Sequence, residues 1–466
     1  MCPRKKVQRA KQHSVDVGMH PRHKKLKDCC LDEDPMPLRK FALLTATLLI
    51  STAPLEGMAR TKTHSTKPTT GDAATATPAV KSSAVRTTGD AAATVRDFNA
   101  LLDQVSGSGR IAGLAVAVVQ DKEVLLQRGI GYADVNSGAP VTPDTVFRLA
   151  SLSKAFASAL AGLLIDEGVF KWDTRVAEVV PAFELNDTNA SDKLSVRDIL
   201  SQRVGLPHNT YDRMLEADEP YPVLVDKLRE VPLTCGVGEC YGYQNITYSL
   251  IGDVIYALTG DFFSHQVEKR LFHPLGMTTA TYGKAGLESS ANWARPHAHV
   301  RGGWVPFEID EAYYHVAPAA GVNASIKDMT QWLIAQMGGR PEVLSHALLE
   351  TLHTPQINTP IERRSAPWRR VRVSETQYAL GWRVFDYAGE TLIFHAGAVR
   401  GYRSMIAFLP KQKFGAVMLW NCESAVPIGL LPMLLDRYLG LPEVDWAGMD
   451  ATEAPAKRTR IAAGGR

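Results

Sequence analysis

The spacing of apolar residues changes twice along the chain. In GLAVAVVQDKEVLLQRGIGYA two apolar runs flank the polar pair Asp121-Lys122, which predicts a hairpin of two strands. A short helix is expected just before it, starting near Val95. From Ser151 to about Gly260 the apolar residues recur at helical spacing, broken by loops rich in Gly, Pro and Asn. The strand period returns near Tyr378. Thr391–His395, Tyr402–Leu409 and Phe414–Trp420 read as strands joined by turns, and a last helix is expected over Pro427–Leu439. Strands at both ends and helices between them predict an α+β chain, with one sheet assembled from its N- and C-terminal parts.

Outside that domain, placed at residues 94–441, the periodicity is lost. Residues 60–93 are rich in Thr, Ala and Ser and repeat TTGDAA at Thr69 and Thr87, which predicts a disordered linker. Residues 442–466 are rich in Ala, Arg and Gly and read as a disordered tail. Upstream, the basic start Met36-Pro37-Leu38-Arg39-Lys40, the apolar run Phe41–Ala53 and the small residues of Gly57-Met58-Ala59 form the three parts of a signal peptide over residues 36–59. No cysteine follows its apolar run, so a lipid anchor is not expected. Residues 1–35 suit no signal and read as a non-native extension ahead of a start at Met36. The expected location is therefore periplasmic or secreted.

Charge follows the same division. The chain carries a net +3, but residues 1–35 hold nine Lys/Arg against five Asp/Glu and residues 36–59 two against one. The remainder is slightly acidic, which argues against nucleic acid as a partner. At 45% hydrophobic residues the chain can bury a large core, and past the leader no run is long and apolar enough to span a membrane. A monomer acting on a small molecule or peptide is the expectation. Of six cysteines, Cys235 and Cys240 in CGVGEC stand just ahead of Tyr243 and read as a disulfide in an exported chain. Cys422 is left as a buried free thiol. No metal-ligand spacing stands out, and neither metal nor organic cofactor is expected.

The candidate chemistry begins at Ser151-Leu152-Ser153-Lys154, at the start of an apolar helix. Three residues apart, serine and lysine share one helical face, so the amine can reach the hydroxyl. A desolvated lysine can take or share the serine proton, and the free N–H of a first-turn residue can hold an oxyanion. Tyr243-Gln244-Asn245 follows, offering a phenol for proton transfer and an amide with donors and an acceptor for substrate. His395-Ala396-Gly397 comes third, at the end of a predicted strand, where glycine lets a substrate backbone pass close.

S-x-x-K, then Y-x-N, then H-x-G near the last strands resembles the serine β-lactamase and penicillin-binding-protein superfamily. The flanks GYADVNSGAPVTPDTVFRLASLSK, LSVRDILSQRVGLP, YQNITYSLIG and AAGVNASIKDMTQWL resemble its class C branch, which also holds D-alanyl-D-alanine carboxypeptidases and family VIII esterases. The resemblance covers about residues 95–440. It implies an antiparallel sheet flanked by helices with an all-helical lobe inserted, and a site in the cleft between them. It implies Ser151 as nucleophile, Lys154 and Tyr243 sharing proton traffic, and an oxyanion held by the N–H groups of Ser151 and Ala398. Asn245, His395 and Gly397 would line the substrate.

Departures from the branch bear on the substrate. Ala396 lacks the hydroxyl that Lys-Thr-Gly or His-Thr-Gly offers a carboxylate, and His395 replaces a permanent charge. The "HTSG" segment reads Gln202-Arg203-Val204-Gly205. Arg400, at the turn after the strand, is a candidate to bind that carboxylate instead. Three readings stay open. The first is a hydrolase of β-lactams or D-amino-acid peptides, the second a family VIII-type esterase, and the third a protein that is acylated with little turnover.

Overall fold

The computed structural model describes residues 89–450. The proposed extension, signal peptide and most of the linker, like residues 451–466, lie outside them. A nine-stranded antiparallel sheet runs in the order Ala139–Pro140, Glu123–Asp134, Gly113–Gln120, Phe414–Trp420, Tyr402–Leu409, Glu390–Val399, Arg383–Tyr387, Val373–Tyr378, Ile357–Asn358. The N-terminal hairpin thus joins the C-terminal strands through Leu114↔Trp420 to Gln120↔Phe414.

The central strands read as nearly continuous apolar runs because both faces of the sheet are covered. In Gly113–Gln120, Ala115, Ala117 and Val119 enter one core while Leu114, Val116 and Val118 enter the other. The second core is roofed by helices Ala91–Gly107 and Val426–Tyr438. The first packs against Ser153–Asp166 and Ile326–Gln336, and reaches Ile246–Thr259 in the helical lobe. This lobe, set between the two halves of the sheet, is helical as expected and also holds two short sheets. One pairs Val146–Arg148, Val322–Ser325 and Thr281–Tyr282; the other is the hairpin His297–Val300 with Gly303–Pro306.

The domain is wider than the expected 94–441. The first helix starts at Ala91, inside the expected linker, with Asp90 accepting from the Ala92 N–H at 2.9 Å. Its stripe of Val95, Phe98, Leu102 and Val105 is buried, which outweighs the low-complexity composition before it. Residues 442–450 are packed rather than tail-like. Trp446 Nε1 donates to Asp436 at 2.8 Å, and Arg110 donates to the Gly448 carbonyl at 2.7 Å.

Candidate active site

Ser151 lies in a 3₁₀ turn, Ala150–Leu152, and the α-helix proper begins at Ser153. The serine is therefore ahead of the helix rather than in its first turn. Ala150 takes a left-handed φ of 50°, a strain of about 1–2 kcal/mol for a residue with a Cβ. Several bonds hold it there. Ser153 Oγ donates to the Ala150 carbonyl at 2.7 Å and accepts from the Val322 N–H at 3.0 Å, while Ser404 Oγ donates to the Leu149 carbonyl at 2.7 Å. The helix that follows is buried almost all round, with Ala155, Ala157, Ala159 and Ala161 letting its neighbours close in.

Lys154 is fully buried. Its Nζ donates to Ser151 Oγ at 3.4 Å, Asn245 Oδ1 at 2.6 Å and the Ala319 carbonyl at 3.2 Å, and stands 4.7 Å from the Tyr243 ring centroid. Burial pulls its pKa down, against the pull of Tyr243 and Asp212. A lysine that loses its proton more readily, aimed at a serine hydroxyl, is suited to take the hydroxyl proton.

Asn245 occupies the N-cap position of helix Ile246–Thr259, yet its side chain makes no capping bond. Capping is worth typically about 1 kcal/mol, and here the amide is committed to the site. Its oxygen accepts from Lys154, and its Nδ2 donates to Asp212 Oδ2 at 2.8 Å. The backbone beside it is clamped by Gln202, which takes the Gln244 N–H at 2.7 Å and gives its own amide N–H to the Gln244 carbonyl at 3.1 Å. The Tyr243 N–H is held by His208 Nδ1 at 3.1 Å. The Cys235–Cys240 disulfide is formed. Its loop rests on the same segment, with the Gly238 N–H donating to Arg203 O and the Thr234 N–H to Gly205 O, both at 2.8 Å. Cys422 is free and buried.

Gly397 brings the strand Glu390–Val399 against the Ser151 turn. Strand Arg383–Tyr387 pairs with this strand only as far as Arg383↔Phe394. One edge of 395–399 is thus left without a strand partner on that side, while the other edge pairs with Tyr402–Leu409, Ala398 facing Arg403. Ala398 itself is exposed.

His395 is not a substrate-facing group. It is fully buried, and burial first, then Arg383 and Lys154, pull its pKa well below the usual imidazole range. Neutral, its Nδ1 donates to the Ala396 carbonyl at 2.9 Å, which leaves Nε2 to accept from Arg383 Nη1 at 3.1 Å. The permanent charge beside Tyr243 therefore comes from the next strand: the Arg383 guanidinium stands 5.2 Å from the Tyr243 ring centroid. Arg383 is paired in turn with Glu362 at 3.4 Å, and Arg369 pairs with the same carboxylate at 2.8 Å. Burial opposes ionisation of Glu362, but the two guanidinium groups hold it down at about 2. Arg400 lies over Phe307 at 4.8 Å and lines a cavity of about 510 Å³ with Asp218, Glu308, Asp310 and Glu311. Lys284 and His315 line the same cavity, and Ser151 is not among its lining residues.

Asp212, Arg383, Glu362, Gln202 and His208 complete this cluster, and of these only Gln202 lies in a segment that the sequence singled out. The other four are single polar residues in short helical turns, a loop and the strand Arg383–Tyr387, brought in only by the fold. Among the described residues no group of three or more His, Cys, Asp or Glu is placed to hold a metal ion.

A sequence model of the family described as beta-lactamase matches residues 53–429. Protein flp of Staphylococcus aureus (strain MW2) is similar at 25% identity over 338 residues, covering 71% of this chain and 63% of flp. Unguisins hydrolase ungD of Aspergillus violaceofuscus (strain CBS 115571) is similar at 27% identity over 392 residues, 74% of this chain and 67% of ungD. The chain thus spans less than two thirds of the length of flp. Among solved structures, the octameric penicillin-binding protein homologue from Pyrococcus abyssi superposes with a TM-score of 0.66 at 21% identity, covering 74% of this chain and 78% of that one.

Proposed function

Because the chain belongs to the beta-lactamase family, we propose that it is a serine hydrolase working through an acyl-enzyme on Ser151. The observation that carries this is the buried Lys154 amine 3.4 Å from Ser151 Oγ, with its pKa lowered by desolvation. In the reaction, Oγ bonds to the substrate carbonyl carbon as its proton passes to the Lys154–Tyr243 pair. The Ser151 N–H, with that of Ala398, steadies the oxyanion. The tetrahedral adduct collapses, the leaving group departs with the proton, and water then releases the acid. Lys154 Nζ stands 4.7 Å from the Tyr243 ring centroid, so both side chains are at hand for the proton.

The substrate we favour is an ester or amide without a carboxylate beside the scissile bond. Ala396 offers no hydroxyl, His395 is neutral and buried, and Arg400 lines a cavity that does not include Ser151. A second reading, β-lactams or D-amino-acid peptides, draws support from Arg383, whose side chain is 11% exposed beside Tyr243.

Purified protein with p-nitrophenyl butyrate, nitrocefin and a D-Ala-D-Ala peptide separates these readings. Turnover of the ester is expected to exceed that of the two anions, and Arg400→Ala to leave KM for all three within about twofold. Ser151→Ala is expected to lose turnover and the covalent mass adduct while folding normally. A Ser151→Ala chain with more than a trace of the original rate would overturn the mechanism. Ester turnover no faster than that of the anions would return the carboxylate-bearing substrates to first place.

We also propose export, with cleavage near Arg60, supported by the leader pattern and the Cys235–Cys240 disulfide. N-terminal sequencing of protein from outside the cytoplasm is expected to begin near Arg60. Recovery only from the cytoplasm would refute it. A monomer stays our proposal for the assembly. Among the described residues no helix is long and apolar enough to cross a membrane.

A further inference from the structure

Asp212 is a buried carboxylate that makes no ion pair among the described residues. One oxygen, Oδ2, accepts from Asn245 Nδ2 at 2.8 Å. The other, Oδ1, is buried with no hydrogen-bond partner among the described residues. The residue opens the short turn of helix Asp212–Leu215, directly after Tyr211 in the left-handed region at φ 63°. With His208, Asn209, Arg213, Glu216 and Tyr313 it lines a cavity of about 670 Å³. Of these, Glu216 adds a second negative charge, and the Tyr313 hydroxyl donates to it at 2.8 Å. Across the Asn245 amide stands the Lys154 ammonium.

An isolated buried carboxylate with an unsatisfied oxygen is costly, so its retention calls for a reason. The amide between Asp212 and Lys154 supplies one. A lysine ammonium only donates, so the Asn245 oxygen must face it; an ionised carboxylate only accepts, so the Asn245 NH₂ must face that. With both ends in place the amide has one orientation. Without the carboxylate, the amide can turn, bring NH₂ toward the ammonium and drive Nζ off its line to Ser151.

We propose that Asp212 is a positioning residue: its carboxylate locks the Asn245 amide with the oxygen on Lys154, and thereby aims the lysine at Ser151. The role in catalysis rests on the hydrolase reading above. The lock is pH-dependent, because burial, reinforced by Glu216 and opposed by the Asn245 bond and Lys154, pushes the Asp212 carboxyl up to about 6. Once protonated, Asp212 can donate, and the amide is no longer fixed. Because its folded pKa is raised, the ionised carboxylate costs stability at neutral pH, and protonation relieves that cost.

Asp212→Asn, nearly the same in shape, tests this. At pH 7.5 we expect kcat/KM for p-nitrophenyl butyrate to fall at least about tenfold, the loss expected for one positioning contact, while Tm holds or rises. The inflection near pH 6 in the kcat/KM profile should vanish. Asp212→Glu, which restores an acceptor-only group, should recover part of the rate. A residue serving only the fold would lower Tm together with activity and leave the inflection, and that result would overturn the proposal. An independent readout is NMR titration of the Lys154 ammonium in the whole chain, where Asp212→Asn should lower its midpoint by about one pH unit. An unchanged Lys154 titration also overturns the proposal. If the unsubstituted protein shows no Ser151 adduct with any substrate, the hydrolase reading fails, and the Lys154 titration still decides whether Asp212 acts on it.

Discussion

A Cβ added at Gly397 would stand 2.3 Å from the Leu149 carbonyl oxygen, 2.4 Å from Ser404 Oγ and 3.0 Å from the Ser151 nitrogen. Two of those atoms are backbone of the Ser151 turn, which is pinned by Ser153 and Ser404 and cannot yield cheaply. Gly397→Ala should therefore push the strand off the Ser151 turn. A displacement of about 1 Å in a reacting geometry costs on the order of a hundredfold in rate, and overpacking costs roughly 1–3 kcal/mol. We expect kcat to fall about a hundredfold, with a modest drop in Tm, on the ester proposed as substrate. Near-normal kcat in a stable Gly397→Ala protein would show that the strand can retreat without disturbing the serine. Sequence pointed to a glycine that lets a substrate backbone pass close. The close neighbour in the fold is the Ser151 turn of the same chain, which the motif alone does not reveal. Spacing did give the Ser151–Lys154 contact, because three residues in a helical stretch must share a face. Spacing gave nothing for Asp212 or Arg383, whose partners are 33 and 12 residues away in sequence.

At the scale of elements, strong runs were readable and short ones were not. Tyr402–Leu409 and Phe414–Trp420 are strands with the bounds that their apolar runs predict, and the last helix is shifted by one residue to Val426–Tyr438. The first of the three predicted strands is longer, Glu390–Val399, because His395-Ala396-Gly397-Ala398 stays in register with Met405 and its neighbours despite the loss of large apolar side chains. The strand period returns at Val373 rather than Tyr378, where VSETQY hides a half-buried strand behind polar residues. Val146–Arg148 and Val322–Ser325 could not have been found by periodicity. They are three and four residues long, and their pairing buries Arg148 and Asn323, polar residues that argue against a core strand. The CGVGEC ring is a local device. A loop this short contributes at most about 2 kcal/mol through chain entropy. Its bonds to Arg203 and Gly205 instead tie it to the Gln202 clamp that sets Gln244 and, beside it, Tyr243 and Asn245.

The molecule as a whole carries an acid sensitivity that no single motif announces. Burial holds His353 down at about 3 and His395 well below its usual range, so both are neutral in the fold. Unfolded, each titrates near 6.5. As pH falls below 6.5 the unfolded chain takes protons that the native one refuses, so each histidine removes up to about 1.4 kcal/mol of stability per pH unit. Asp212 acts in the opposite sense. Raised to about 6, it takes its proton in the native state first, and from pH 6 down to the unfolded carboxyl range near 4 it offsets one histidine. Glu362, held at about 2 by Arg383 and Arg369, adds its own loss only below about pH 4. For His353, His395 and Asp212 taken together the balance between pH 6 and 4 is about one proton, or roughly 3 kcal/mol, a large share of the 5–15 kcal/mol typical of a domain. Urea midpoints measured from pH 7.5 to 4.5 should therefore fall steadily below pH 6.5. His353→Gln, which keeps a polar group near Gln336, should flatten that slope by about one proton. Asp212→Asn should steepen it by about one, because the offset is gone. A midpoint independent of pH over that range, or equal slopes in all three proteins, would mean that these buried groups titrate alike in the folded and unfolded chains.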